Sequence, residues 1–295
     1  MIFPKHTQYV FAGKSAIALV LEFLRERGVL RDKSGQVLVP EWIGTWVYMT
    51  MHNFCFPTTV MNKKVRALMV YHQWGFPQRM DKIMPFARKH KLFLIEDCAH
   101  AIAGSYRGKW LGAFGDASVW SLSKFFNTPA GGALYTKNKE LRKFVASAIR
   151  RSSPALGRET LKILQTGDAA RAYVLYDRLA QISKGALASV NTGALEKRRR
   201  NFELLRAALW GRKEEKLLQD SEVVPWQVPL FCGKNNAKVA QALQKAGLES
   251  GVYHFDINRN MLQPRFVECA ALPCHHRLSE EDIGRIIGIV RKALG

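Results

Sequence analysis

Two hydrophobic rhythms alternate along the first half of this chain. Ser15–Arg27 carries an amphipathic helical pattern that stops at Gly28, a residue suited to the left-handed turn that ends many helices. Short apolar runs bounded by Pro, Gly and charged residues predict strands at Gln36–Val39 (closed by Pro40), Val65–Tyr71, Leu92–Ile95, Ala117–Leu122 and Ala133–Thr136. Between them, Trp42–Asn53 and Asp81–His90 predict helices, the first apolar enough to be read as buried. Strands this apolar, interleaved with helices, imply a mostly parallel sheet covered on both faces. From Lys139 to about Arg212 the pattern is helical, with interruptions near Ser152-Ser153-Pro154 and Gly167. The tail predicts a strand at Trp226–Phe231, a helix at Ala237–Ala246, an irregular stretch Gly251–Pro264, a strand at Ala271–Pro273 and a helix at Glu280–Leu294. The expectation is an α/β large domain over 1–180 and a small C-terminal α/β domain over 181–295.

Composition narrows the class. A chain of 295 residues, 47% of them hydrophobic, can bury a core larger than one ordinary domain needs. Its five cysteines are scattered, odd in number and without a C-x-x-C pair, which favours reduced thiols and a cytoplasmic setting over a disulfide framework. Met1–Tyr9 holds Pro4, Lys5, His6, Thr7 and Gln8 where a signal peptide would need an apolar core. The longest apolar stretch, Trp42–Met51, is too short to span a bilayer, so no transmembrane segment is expected. Lys and Arg (45) exceed Asp and Glu (24), and the resulting +21 attracts anions: nucleotide-linked phosphates, or a peripheral contact with an anionic membrane. Neither zinc-finger spacing nor an aromatic RNA-binding motif is present, so dedicated nucleic-acid binding is not expected. The densest basic run, Lys197–Arg200, lies in a helical pattern and reads as a solvated face.

The segment from Leu92 to Tyr135 carries the chemistry. One apolar run ends in Glu96-Asp97; a glycine-punctuated stretch leads to a second run, which delivers Ser121, Ser123 and Lys124; Gly131-Gly132 follow. An acid at one strand end and a lysine just past another is the minimum for holding pyridoxal 5'-phosphate (PLP): the lysine anchors the cofactor covalently and the carboxylate keeps its ring nitrogen protonated. Glu96-Asp97, Ala99-His100, Gly112, Gly115-Asp116, Trp120-Ser121, Lys124 and Gly131-Gly132 stand in the order found in the DegT/StrS-type aminotransferases, which this segment resembles. The resemblance implies an aspartate-aminotransferase-like (fold type I) large domain, PLP as cofactor, an amino donor and a keto acceptor such as a nucleotide-linked sugar, and a homodimer. It assigns catalysis to Lys124 and Asp97. Cofactor contacts fall to Gly13, Lys14, Ser15, Trp42, Trp46, Asp97, His100, Ser121 and Lys124. Elimination on the same fold uses the same residues, and a binding protein that kept the fold without the activity is a further alternative.

Phe11–Ser15 opens the first helix and reads as a phosphate site, where backbone N–H groups, the Ser15 hydroxyl and the helix dipole meet. Ser15 read alone is an ordinary helix cap. Gly13-Lys14-Ser15 also ends like the loop of a P-loop NTPase, with Leu92–Asp97 as its second strand. That loop requires an earlier glycine where this chain has Gln8. The resemblance turns His100 toward the cofactor, to hydrogen-bond its phenolic oxygen or to pack on its ring. It sets Trp42 and Trp46, after Pro40, on the ring face opposite the carboxylate, whereas tryptophans in an apolar helix read alone are core residues. Cys269, Cys274, His275, His276 and His254 match no usual zinc spacing, so no metal is expected. Lys124 follows Ser121 more closely than in the commonest form of the family, and the partner-chain asparagine of that family has no counterpart. The cofactor machinery is therefore more intact than the sugar-binding machinery.

Overall fold

The computed structural model describes residues 3–126, 128–182 and 190–295, so the part of the expected helical stretch at 183–189 lies outside the described residues. The chain forms two compact units, one from residues 1–71, 81–99 and 112–191, the other from 72–80, 100–111 and 192–295.

The first unit is built on a seven-stranded sheet. Its strands are β1 (Gln8–Val10), β2 (Gln36–Leu38), β3 (Phe56–Thr58), β4 (Val65–Tyr71), β5 (Phe93–Asp97), β8 (Ala117–Ser121) and β9 (Gly132–Thr136), in the order β1-β9-β8-β5-β4-β2-β3. The five strands from β8 to β3 run parallel, while β9 and β1 pair antiparallel at one edge. Parallel neighbours need crossovers, and α2 (Thr45–His52) and α3 (Met80–Lys89) supply two of them. The helix α1 (Gly13–Glu26) inserts Ile17, Val20, Leu21 and Leu24 into a core with Val37, Met69, Ile95 and Val119. Arg27 caps it and Gly28 turns away at φ +70°, as the sequence pattern predicts. The helix α4 (Lys139–Arg151) begins where the Asn138 side chain accepts the Glu140 and Leu141 N–H groups, and it packs Phe144 on Phe23. Next come α5 (Pro154–Gln165) and α6 (Ala169–Leu175), which bury Ala172, Tyr176 and Leu179 against Phe11 and Ala12.

The second unit holds β11 (Gln227–Leu230), β12 (Val252–Asp256) and β13 (Phe266–Pro273) in an antiparallel sheet of order β11-β13-β12. The helices α7 (Thr192–Leu209), α9 (Asn236–Lys245) and α10 (Glu280–Leu294) accompany it, and the short helix α8 (Arg212–Glu215) follows α7. The α10 start is fixed by reciprocal bonds between Ser279 and Asp282. Phe76, Phe202, Leu230, Phe255, Leu272 and Ile286 form its core. A hairpin, β6 (Ser105–Tyr106) with β7 (Lys109–Trp110), is extended by β10 (Ser221–Glu222).

Three sequence readings need correction. The expected buried helix Trp42–Asn53 is shorter, delayed to Thr45 by Pro40 and Gly44, and buries only Thr50 and Met51. Part of the stretch expected to be irregular, Gly251–Pro264, is the edge strand β12, whose Val252, Tyr253 and His254 face solvent and so show no alternation. The basic run Lys197–Arg200 is not wholly solvated: Arg198 is 2% exposed.

Gly131-Gly132 have a structural reason. Ala12 bridges Gly131, and a side chain on Gly132 would collide with the Ala12 carbonyl and sit 2.6 Å from the Gly13 nitrogen. We expect Gly132→Ala to lower unfolding free energy by about 3 kcal/mol, the scale of overpacking against backbone. Urea denaturation checks this, and a loss below about 1 kcal/mol would show that the α1 start yields easily.

Candidate functional site

Side chains alternate across a strand, so Glu96 and Asp97 leave β5 on opposite faces. The buried Glu96 carboxylate accepts the backbone N–H groups of Gly112, Phe114 (2.9 Å) and Gly115 (3.0 Å), pinning the glycine loop that leads into β8. Glycine is needed at 115, where a Cβ would lie 2.8 Å from the Ala117 carbonyl and 2.9 Å from that of Leu94. Asp116 continues the clasp: its carboxylate accepts the Leu94 N–H at 2.8 Å, and its carbonyl accepts the Thr136 hydroxyl. The Ser118 hydroxyl donates to the Gly112 carbonyl at 2.7 Å. The family-type GD pair therefore fixes the register between β5 and β8.

That register sets the site. Asp97 lies beside Val119 on the neighbouring parallel strand, so Ser121 ends β8 two residues farther along. A single 3-10 turn, Leu122–Lys124, then carries the half-buried Lys124 off the sheet. Asp97 is 2% exposed, and one of its carboxylate oxygens accepts the Ala99 N–H at 2.9 Å, which orients the group. Acid and lysine thus stand at the carboxyl ends of adjacent parallel strands, where open α/β sheets bind ligands. Cys98, fully buried, is no nucleophile: burial first, then Glu96 and Asp97, push its thiol well above the ordinary range.

The start of α1 reaches the same sheet end. A methyl on Gly13 would lie 3.2 Å from both the Ser121 Cβ and the Trp120 carbonyl oxygen, so glycine lets the helix N-terminus press against the end of β8. The first-turn N–H groups, which an α-helix leaves without intrahelical partners, are carried there beside the Ser121 and Ser123 hydroxyls, themselves 3.4 Å apart. This arrangement can hold a phosphate.

Lys14 and Ser15 turn elsewhere. The Lys14 ammonium donates to the Tyr173 carbonyl at 2.7 Å and lies 5.4 to 5.8 Å from the ring centres of Trp46, Tyr173 and Tyr176. Burial lowers its pKa, and Asp177 partly offsets this. The Ser15 hydroxyl donates to the Tyr176 carbonyl at 2.7 Å, and Ala12, not Ser15, occupies the cap position. Trp46 packs edge-on against Tyr173, while Asp177 accepts from Thr50 and Asn53. Trp42 is 52% exposed and borders an open depression of about 470 Å³ with Tyr48 and Phe56. His100 belongs to the second unit, stacked on Trp226 with ring centres 4.2 Å apart and planes within 12°.

The structure thus gathers Asp97, Ser121, Lys124 and Gly13 at one sheet end, and sets Lys14, Ser15 and Trp46 against Tyr173–Asp177. Glu96, Ser118 and Ser123 support the site without having been singled out as site residues. Tyr173, Tyr176 and Asp177 left no signal in the sequence, because they meet Lys14 only through the fold.

Comparison with known proteins decides the family. The model of the DegT/DnrJ/EryC1/StrS aminotransferase family matches residues 58–291. This chain belongs to that family. A stretch of 83 residues is 40% identical to a GDP-perosamine synthase of Escherichia coli O157:H7, covering 28% of this chain and 23% of that protein. The matched part thus spans about a quarter of the relative's length. Helicobacter pylori PseC, an aminotransferase involved in the biosynthesis of pseudoaminic acid, superposes with a TM-score of 0.69 at 15% identity, over 98% of this chain and 87% of that one. DesI, solved in the presence of its TDP-sugar product, gives 0.68 at 16% identity over 98% and 80%. At such identities the likeness establishes the fold, the aminotransferase α/β architecture expected from the sequence.

Among the C-terminal histidines, His275 is held unprotonated down to about pH 4, by burial first and then by Arg277 and Arg198. In the unfolded chain the imidazole titrates near its usual 6.5. Between these values the unfolded chain binds more protons, so stability should rise with pH from about 4 to 6.5 and be lost as pH falls through that window. Urea midpoints at pH 5 and 7 test this: the difference should shrink in His275→Asn, and an unchanged difference would assign it to other groups.

Proposed function

We propose that this protein is a PLP-dependent aminotransferase acting on a keto-sugar, with a nucleotide-linked sugar as the favoured acceptor class. The observation that carries the reading is the placement of Asp97 and Lys124 at neighbouring parallel strand ends, with the α1 N-terminus pressed on Ser121. The GDP-perosamine synthase relative and DesI with its TDP-sugar product support the substrate class. When bound, PLP supplies an aldehyde carbon and an electron-accepting ring, the chemistry that amino transfer requires.

The residues fit that group. Lys124 Nζ would be the covalent anchor for the aldehyde carbon and the base that moves a proton at the donor carbon. The half-buried lysine sits on a short turn directly after the strand, close to the sheet end. Asp97, buried and oriented by the Ala99 N–H, would keep a proton on the ring nitrogen. The first-turn N–H groups of α1 and the hydroxyls of Ser121 and Ser123 would hold the phosphate. Lys14 and Ser15 would serve that site indirectly, fastening Tyr173–Asp177 beside the helix start, with Trp42 and Trp46 at its rim. The five cysteines are free, in keeping with a cytoplasmic enzyme.

Two variants test the assignment. Lys124→Ala should fold yet lose the cofactor absorbance that borohydride fixes on Lys124, and Asp97→Asn should slow amino transfer by roughly a hundredfold or more, the scale of a lost electrostatic group. Turnover of Asp97→Asn within twofold of the parent would remove Asp97 from the role. Uptake of no PLP by the parent chain would defeat the whole reading.

We also propose a homodimer. Trp42, Tyr48, Met49 and Phe56 leave an aromatic and Met-rich patch in solvent on and beside α2, a composition suited to interface cores. Sedimentation at physiological salt should report twice the 33.4 kDa chain mass, whereas a monomer that binds PLP tightly would mean that the site is completed within one chain.

A further inference from the structure

Within the second unit, several costly features converge on one ring pair. Arg198, on α7, is buried, and its Nη1 donates to the carbonyls of Pro225 (3.2 Å) and Trp226 (2.9 Å). Taking a guanidinium out of water is expensive, and burial lowers its pKa accordingly. The Cys274 thiol donates to the same two carbonyls, and the Trp226 N–H donates to the Trp74 carbonyl at 2.8 Å. Trp74 itself holds a left-handed φ of +54°, an uncommon conformation for a bulky residue. Gly75 follows at φ +94°, and a Cβ there would lie 2.6 Å from the His100 carbonyl oxygen and 3.2 Å from the Pro225 Cα. The glycine lets the main chains of His100 and Pro225 close on each other, and the His100 and Trp226 rings then stack at 4.2 Å.

A buried charge, a left-handed tryptophan and a glycine-dependent approach thus all bear on the frame of one indole. The indole in turn presents a flat face that leaves the His100 ring little rotational freedom. We propose that Arg198 is a positioning residue for the His100 imidazole, acting through Trp226. His100 is the third residue after Asp97, so the role of this chain in the reaction rests on the cofactor reading above, while the positioning itself does not. A hydrophobic side chain at 198 could fill the same space, but it would leave the Pro225 and Trp226 carbonyls without the guanidinium donor that fixes the ring's backbone.

The test uses the full chain and reads His100 directly. Carbethoxylation by diethyl pyrocarbonate, followed by peptide mass spectrometry, measures His100 reactivity, with the buried His72 as internal reference for unfolding. Trp226→Leu and Arg198→Met should each raise the His100 rate about fivefold, the equivalent of about 1 kcal/mol for one lost aromatic stack, with His72 unchanged. Trp226→Phe, which keeps a stacking face, should restore the parental rate. A parental His100 rate in Trp226→Leu, or a rise there with none in Arg198→Met, overturns the proposal. Should Arg198→Met unfold, seen as His72 reactivity, Arg198→Lys decides. It keeps the charge but cannot fork to two carbonyls, so a raised His100 rate upholds the role and a parental rate overturns it. A parent that takes up no PLP defeats the proposed function, and the His100 rates still decide this proposal.

Discussion

The candidate site depends on one buried carboxylate. Glu96 collects three backbone N–H groups from the loop at 112–115, and by doing so fixes where the chain re-enters the sheet as β8. An anion buried among amide donors is stable only while all those bonds persist, so the loop has little latitude. Because the strand alternates, the same backbone that sends Glu96 to the loop sends Asp97 to the other face. The structural acid and the proposed functional acid are therefore adjacent in sequence and separated by the sheet. Asp116, Thr136 and Ser118 complete a clasp that holds β5, β8 and β9 in register. Lys124 inherits its place from that register.

Close backbone approach is the second constraint. Gly13 against Ser121 and Gly132 against Ala12 bring the α1 N-terminus onto the sheet end, and neither contact tolerates a side chain without movement. What would otherwise be a solvent-facing helix start is buried at Gly13 and Ser15. Lys14 then finds partners other than an anion. A cation in the first turn opposes the helix dipole, and the Tyr173 carbonyl with three aromatic rings compensates it. This explains how a lysine can stand at the start of α1 without being directed at the proposed phosphate site.

Polar groups are the recurring device in the second unit as well. Arg198 sits in a run of four basic residues, three of which remain exposed, and the packing of α7 in its unit decides which one turns inward. Buried among Pro225, Trp226 and Cys274, it holds a loop by hydrogen bonds where apolar packing would leave two carbonyls only the weak thiol donor of Cys274. The nearby His275 feels the same charge, which helps keep its imidazole neutral into the acid range.

Much of this protein was determined locally and could be read from the chain. Strands β4, β5, β8 and β9 and helices α1, α3 and α10 follow from runs of apolar residues, caps and glycine stops, because burial on both faces leaves a plain hydrophobic signature. Glu96-Asp97, Gly115-Asp116, Ser121, Lys124 and Gly131-Gly132 were legible too, since they lie within one short segment and their order is itself the signal. The edge strands β3 and β12 were not: one contains Pro57 and the other faces solvent over most of its length, so neither alternates. Tertiary structure alone decided that α2 lies exposed, that Lys14 and Ser15 reach Tyr173 and Tyr176, and that Arg198 is buried beneath Trp226. Each of these joins residues far apart along the chain, and sequence periodicity states which face a side chain occupies without stating what that face will meet.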